Sequence, residues 1–174
     1  FKTSEQTLAN GIQHIHTQPR FNNHFFIGIY IKTGSRFENP KQAGISHFLE
    51  HMLFRGSKKE PSFLKLAEKF ERYGGEWNAA TGHEHTEYTY IGLNESALPL
   101  IKLFSELIEE PLFLEPQKEK EIILREIEEE INEFDEFLDL EYHSTKLAWN
   151  DENFKHPITG DKKSVKGLTE KNLL

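Results

Sequence analysis

Residues 43–56 of the chain read Ala-Gly-Ile-Ser-His-Phe-Leu-Glu-His-Met-Leu-Phe-Arg-Gly. The apolar side chains in this stretch recur at intervals of three and four, which is typical of a helix with one buried face. They are Ile45, Phe48, Leu49, Met52 and Leu53. Gly56 is suited to the position that follows a helix C-terminus. The pattern therefore predicts a helix from about Ala43 to Arg55.

The same predicted helix carries His47, Glu50 and His51. Histidines four residues apart lie on one helix face, with Cβ atoms roughly 5–6 Å apart. Both imidazoles can therefore reach one zinc ion at the usual distance of about 2.0–2.1 Å. Glu50 projects about 100° away from His51, so it can flank the ion and accept a proton from a water that the metal acidifies. This order of residues is the inverted form of the His-Glu-x-x-His zinc-protease motif.

A motif of five residues also arises by chance, and the plain alternative is a surface helix that happens to carry His and Glu. The core-type apolar pattern favours the metal site, because unpaired His and Glu are costly to bury. His83 and His85 are two residues apart and could in principle bind a metal from one strand face, but we do not expect a third partner for them. The remaining histidines are expected at the surface or in packing roles. They are His14, His16, His24, His143 and His156.

The composition indicates one soluble globular domain. The chain has 174 residues, of which 36% are hydrophobic and 29% charged, enough for a single core. It has no cysteine, which excludes disulfide scaffolds, thiolate zinc sites and cysteine nucleophiles. A net charge of −8 argues against nucleic acid as a partner. No apolar run could span a membrane, so we expect no membrane partner. No signal peptide is visible, as would also hold for a mature, cleaved chain. The compartment is left open, with the bacterial cytoplasm favoured over the periplasm.

The remaining sequence patterns predict strands and helices without a regular βαβ alternation. Strands are predicted at 12–16, after the turn Asn10-Gly11, at 25–32 and at 86–93, and helices at 61–74, from Asn94 or Ser96 to about Glu110, and from Thr169. Leu114–Trp149 predicts one long helix that opens at Pro116 and is bent or split near Asp135–Asp139. The predicted fold class is α+β, with an antiparallel-rich sheet and helices packed on one face.

Several separate segments of the chain, in order, resemble the pitrilysin/insulinase family, and most closely its processing-peptidase-like branch. The resemblance covers nearly the whole chain. Its segments are residues 8–12, 32–36, 43–57, 74–81, 84–88, 119–127 and 156–160. The resemblance implies the half-domain fold of the mitochondrial-processing-peptidase type.

In that family the third zinc ligand is the Glu that closes an Ile-Leu-Arg-Glu segment, which corresponds to Glu126 here. The family also has an acidic residue seven positions earlier, where this chain has Glu119. Seven residues are nearly two helical turns, so Glu119 and Glu126 share a face. The resemblance implies that Glu119 orients a ligand or a substrate amine from outside the metal's direct contacts. The alternative for Glu119 is one more solvated carboxylate on an acidic helix.

Residues 78–81, Asn-Ala-Ala-Thr, match the family's substrate-side edge strand. The resemblance implies that Asn78, Ala79 and Thr81 bind the peptide substrate, mainly through main-chain pairing. Asn78 would direct its side-chain amide at the substrate backbone. Its alternative is an ordinary turn residue after Gly74-Gly75.

The resemblance implies a zinc-dependent endopeptidase with one zinc ion per chain, acting on short or unstructured peptides. Zinc would polarise the scissile carbonyl and carry the attacking water, with Glu50 as general base. Two alternatives are a catalytically inactive scaffold subunit of the same fold and a protein that stores or senses zinc. The complete set of His47, His51 and Glu126, with Glu50 beside it, favours the enzyme over the scaffold.

Family members enclose a chamber between two similar halves. Residues 1–174 are expected to form a single zinc-binding domain, the N-terminal part of a two-half protein and incomplete at its C-terminus. The expected partners are a peptide substrate and a second homologous half-domain, either downstream in the chain or in another subunit. Alone, the chain is expected to be a poor peptidase that self-associates through an open sheet edge.

Overall fold

The computed structural model describes residues 1–21, 23–149 and 151–173. In these residues, the local patterns of apolar side chains give rise to two antiparallel sheets and a set of helices. The strands are β1 (Lys2–Thr7), β2 (Gln13–Gln18), β3 (His24–Ile31), β4 (Glu76–Thr81) and β5 (Thr86–Leu93). The helices are α1 (Ile45–Leu53), α2 (Phe63–Arg72), α3 (Ala97–Glu109), α4 (Pro116–Glu130), α5 (Leu140–Ala148), α6 (Lys162–Gly167) and α7 (Glu170–Leu173). The predicted α+β class is confirmed. None of the described helices has the length and apolar character needed to cross a membrane.

The main sheet has three strands in the order β3-β5-β4, all antiparallel. Side chains alternate between its faces. Tyr88 and Tyr90 of β5 are buried on the inner face, where they pack with residues of α1, α2 and α3. Phe26 and Ile91 are exposed on the outer face. The sheet therefore buries one face under helices, as the alternating pattern of β5 predicts.

Helix α1 lies between two cores. Its C-terminal residue Leu53 belongs to the core beneath the sheet. Phe48 and Met52 belong to a second core, together with Ile123 and Ile127 of α4. This packing holds α1 against the sheet and against α4 at once, and it sets the distance between side chains on α1 and α4.

The single helix predicted over Leu114–Trp149 is interrupted for longer than the sequence pattern indicates. Helix α4 ends at Glu130 and α5 begins at Leu140. In the intervening loop, the Asn132 side chain accepts hydrogen bonds from the backbone N–H groups of Phe134 and Glu136. Such side-chain bonds compete with helical pairing. The predicted split near Asp135–Asp139 is confirmed, but it begins at residue 131, and Phe134 is exposed and contributes nothing to an apolar stripe.

The predicted strand after Asn10-Gly11 is β2, which pairs with β1 in a separate two-stranded sheet. Strand β1 and helix α6 were not predicted. Helix α6 begins with a capping box in which Asp161 and Ser164 each bond the other's backbone N–H. Its short length leaves little apolar periodicity to detect.

Candidate metal centre and catalytic cleft

Helix α1 begins at a cap supplied by a distant side chain. The Glu38 carboxylate accepts hydrogen bonds from the backbone N–H groups of Gly44 and Ser46, each at 2.7 Å. The first N–H groups of a helix have no partner within the helix, so this carboxylate satisfies two of them and also suits the positive end of the helix dipole. Gly44 has a φ of 89°, which a glycine adopts readily. The start of the motif helix is thereby held in place.

Three nitrogen and oxygen atoms converge between α1 and α4. The His47 Nε2 and His51 Nε2 atoms are 3.1 Å apart. The Glu126 Oε2 atom lies 3.5 Å from His51 Nε2 and 3.9 Å from His47 Nε2. Ligand atoms of a tetrahedral zinc ion are separated by about 3.3–3.4 Å, given bond lengths near 2.0–2.1 Å. The three donors therefore fit a zinc ion in number, chemistry and spacing.

Helix α4 supplies two carboxylates to this centre. Glu119, two turns before Glu126, accepts a hydrogen bond from His51 Nδ1 at 3.0 Å through Oε1. Its Oε2 lies 3.2 Å from Arg55 Nε. Because His51 uses Nδ1 for Glu119, its Nε2 faces His47 and Glu126. A carboxylate behind a metal-binding imidazole fixes the ring and its tautomer in this way.

The two imidazoles are affected differently by their surroundings. Burial, followed by the charge of His51, lowers the pKa of His47 to about 4. Burial also acts to lower the pKa of His51, but the hydrogen bond to Glu119 and the charges of Glu126, Glu119 and Glu50 raise it overall. Both imidazoles must be neutral to bind a metal. His47 is therefore ready to bind near neutral pH, whereas His51 gives up a proton more reluctantly.

Glu50 lies beside the three donors and outside their cluster. Its Oε2 accepts a hydrogen bond of 2.5 Å from the Thr81 hydroxyl. Burial raises the pKa of Glu50, against the opposing effects of the Thr81 bond and the charge of His51. A raised pKa brings a carboxylate closer to the range in which it can accept and return a proton.

A cleft of about 300 Å³ opens next to this centre. His47, Glu50, Ala79 and Thr81 line one side, and Tyr142 lies among the residues that complete it. The cleft connects His47 and Glu50 with strand β4. Space for a ligand is therefore present where the chemistry converges.

Strand β4 lies at an edge of the main sheet. The Gly82 N–H donates to His85 O at 2.8 Å, so these two residues form a bonded pair. Bonded and non-bonded pairs alternate along an antiparallel ladder. In the observed register, the backbone groups of Ala79 and Thr81 therefore point away from β5, toward the open edge.

Asn78 is placed differently from its neighbours. It pairs with Thr89 in β5, is exposed, and does not line the cleft. Its side chain lies on the outer face of the sheet, because side chains alternate along a strand. The structure therefore brings Ala79 and Thr81 to the cleft, while the binding role of the Asn78 amide stays a prediction.

Sequence reasoning missed two residues around the site. Arg55 forms ion pairs with both Glu119 and Glu115. Its only signal in the sequence was its position four residues after His51. His83 lines the cleft, and its Nδ1 lies 2.7 Å from the Ser35 hydroxyl oxygen. No local pattern pointed to this contact. His83 and His85 do not belong to the metal-binding group found among the described residues.

Residues 16–162 match the family model described as Insulinase (Peptidase family M16). The chain belongs to this family. An uncharacterized zinc protease of Rickettsia felis is 32% identical over 169 residues, which are 96% of this chain and 40% of that protein. A probable mitochondrial-processing peptidase subunit beta of Arabidopsis thaliana is 30% identical, over 99% of this chain and 32% of its own length. The predicted family is confirmed, and its relatives include zinc proteases and processing-peptidase beta subunits.

Solved structures share the fold. A protease from Helicobacter pylori superposes with a TM-score of 0.87 at 21% identity, over 99% of this chain and 42% of that one. An inactive domain of peptidase family M16 from Pseudomonas fluorescens gives a TM-score of 0.85 at 20% identity, over 99% of this chain and 42% of that one. The chain spans about two fifths of the Rickettsia felis relative and of both structures.

Proposed function

We propose that this chain is the zinc-binding catalytic domain of a metalloendopeptidase, with one zinc ion held by His47, His51 and Glu126. The observation that carries the proposal is the convergence of three ligand atoms, all within 4.8 Å of one another, with a carboxylate beside them in a cleft. Membership of a peptidase family supports the same reaction class. Among the relatives, the names of several contain zinc protease.

Each side chain has a distinct role in the proposed reaction. When bound, zinc supplies Lewis-acid chemistry, polarising the scissile carbonyl and acidifying a water. Glu50 accepts a proton from the attacking water and delivers it to the departing amine. Glu119 holds His51 in the tautomer that presents Nε2 to the metal. The raised pKa of Glu50 suits a group that must both accept and release a proton.

The proposed substrate is a short or unstructured peptide in an extended conformation. Such a peptide can add to the open edge of β4 through the backbone groups of Ala79 and Thr81, which point away from β5. Main-chain pairing makes little demand on the substrate's sequence. Asn78 is proposed to contact the peptide from the outer face of the sheet, where its side chain is exposed.

A second homologous half-domain is proposed as a partner, whether it is encoded in the same chain or in another subunit. The relatives and structures matched are more than twice as long as the part that this chain covers. A second half would give the cleft an opposing wall that orients the peptide and shields it from water. In well-oriented model reactions, such orientation lowers the activation barrier by about 7–11 kcal/mol. We call the zinc-loaded chain together with this second half the assembled enzyme.

An inactive scaffold of the same fold is the second candidate. The Pseudomonas fluorescens structure with the same fold is described as an inactive domain. The convergence of His47, His51 and Glu126 beside Glu50 favours the enzyme, since a scaffold has no need of this set.

The decisive experiment combines Glu50→Gln with zinc analysis and a quenched peptide substrate. In the assembled enzyme, the variant should keep one zinc ion and lose hydrolysis by orders of magnitude, because Gln preserves the shape but accepts no proton. Glu128→Gln, an exposed carboxylate on α4, is the matched control and should behave as wild type. His47→Ala and His51→Ala should each lose stoichiometric zinc in native mass spectrometry. Turnover of Glu50→Gln near the wild-type rate would exclude Glu50 as the base.

A further inference from the structure

Thr81 belongs to two parts of the cleft at once. Its hydroxyl donates a 2.5 Å hydrogen bond to Glu50 Oε2, bridging 31 positions of sequence between β4 and α1. Its backbone groups point to the open edge of β4, where an added peptide strand would pair. One residue therefore contacts the proposed base with its side chain and faces the proposed substrate with its main chain.

The end of β4 is fixed by contacts beyond the strand itself. The backbone N–H groups of Ser35 and Arg36 donate to the carbonyl oxygens of Gly82 and His83, at 3.2 and 2.9 Å. A Cβ atom added at Gly34 would lie 2.4 Å from Gly82 O. The loop of residues 34–36 and the turn that follows β4 therefore lie in close main-chain contact. Thr81, directly before this turn, is a rigid point from which to hold a carboxylate.

We propose that Thr81 is a positioning residue for Glu50, and that its hydroxyl orients the base toward the peptide strand that pairs with its own backbone. This inference rests on the proposed function. The bond engages Oε2 of Glu50 and leaves Oε1 to receive the proton of the attacking water. Without the hydroxyl, the Glu50 carboxylate can rotate, while the main-chain groups that bind the peptide remain.

The test compares Thr81→Val, which keeps the shape and removes the donor, with Thr81→Ser, which keeps the donor. In the assembled enzyme, Thr81→Val should lower kcat by about ten- to a hundredfold, the usual effect of a hydrogen bond to a charged group. KM should change by less than about twofold, because substrate pairing uses the backbone. Thr81→Ser should restore most of kcat, and zinc content should be unchanged in both variants. Thr7→Val makes the same exchange on the exposed strand β1. This control variant should leave kcat and KM unchanged.

A second readout needs no activity. In the metal-free chain, the urea midpoints of Thr81→Val, Glu50→Ala and the double variant form a cycle. The loss caused by Thr81→Val should shrink when Glu50 is already absent, because the two groups share one bond. Additive midpoint shifts would show that the bond is not made and would overturn the inference.

The kinetic outcomes separate this inference from the proposed function. Wild-type kcat in Thr81→Val, in an enzyme that Glu50→Gln inactivates, would overturn the positioning role and leave the base in place. Equal loss in Thr81→Val and Thr81→Ser would also overturn it, since the hydroxyl would then not be the cause. If the unmodified assembled enzyme hydrolyses no peptide, the proposed function fails, and the inference fails with it.

Discussion

Replacing Glu119 with Gln should weaken zinc binding without removing a ligand. Glu119 contacts His51 Nδ1 at 3.0 Å and Arg55 Nε at 3.2 Å, behind the proposed metal-binding atoms. Gln has nearly the same volume, so the exchange opens no cavity. What changes is the charge. A carboxylate stabilises the positive charge that develops on an imidazole when it donates electron density to a metal, and a neutral amide does not.

The size of the effect follows from burial. The Glu119 side chain is only 7% exposed, so water screens its interaction with His51 very little. Partners of this kind behind a metal ligand contribute about 10- to 100-fold in metal affinity. At 1.36 kcal/mol for each factor of ten, this is about 1.4–2.7 kcal/mol.

The chain offers a matched control on the same arginine. Glu115 also bonds Arg55, at 2.8 Å, but its side chain is 60% exposed. Exposed ion pairs contribute about 0–1 kcal/mol, and Glu115 does not contact His51 in the pairs observed. Glu115→Gln should therefore leave zinc affinity close to that of the wild type.

The assay is competition for zinc with a chromophoric chelator at neutral pH, with circular dichroism to check folding. The reasoning is refuted if Glu119→Gln binds zinc as tightly as the wild type. It is also refuted if Glu115→Gln weakens binding equally, because the effect would then come through Arg55 and not from the contact with His51.

Three further predictions concern stability. Phe48→Ala should lower the free energy of unfolding by about 3–5 kcal/mol in urea denaturation, because Phe48 is fully buried where α1 meets α4; a loss below about 1 kcal/mol would contradict the packing. Glu38→Ala should cost about 1 kcal/mol in the same assay by removing the cap of α1, and an unchanged midpoint would show that the cap is dispensable. Burial raises the pKa of Tyr88 above its ordinary value. The tyrosine of the unfolded chain ionises near pH 10, while the folded chain keeps Tyr88 neutral to a higher pH. The stability that Tyr88 contributes is therefore fully present below about pH 10 and is lost as the pH rises further. Tyr88→Phe should make the decline in stability between pH 9 and 11 shallower, and equal slopes would refute the assignment.

Residues close together in the chain were the most predictable part of the site. His47, Glu50 and His51 lie within five residues on one helix, and helical geometry alone places the two histidines on a common face. The apolar spacing of α1 and the alternation of β5 were local in the same sense. Both elements formed as predicted, although α1 is two residues shorter at each end. Such predictions depend only on the spacing of residues within one helix or strand, and not on which other elements pack against it.

The contacts between distant segments were decided by tertiary structure. The register of β4 on β5 turns Thr81 inward to Glu50 and Asn78 outward, and a shift of one residue would exchange the two faces. The packing of α4 on α1 joins Glu119 to His51 and Arg55. In the loop after α4, Asn132 binds backbone groups that would otherwise continue the helix. In the sequence alone, residue type and helical spacing pointed to His47, Glu50 and His51 as candidate ligands and base, and the family resemblance implied Glu126. Only the packed fold decided which distant groups hold them, because that depends on strand register and on the distances that the two cores impose.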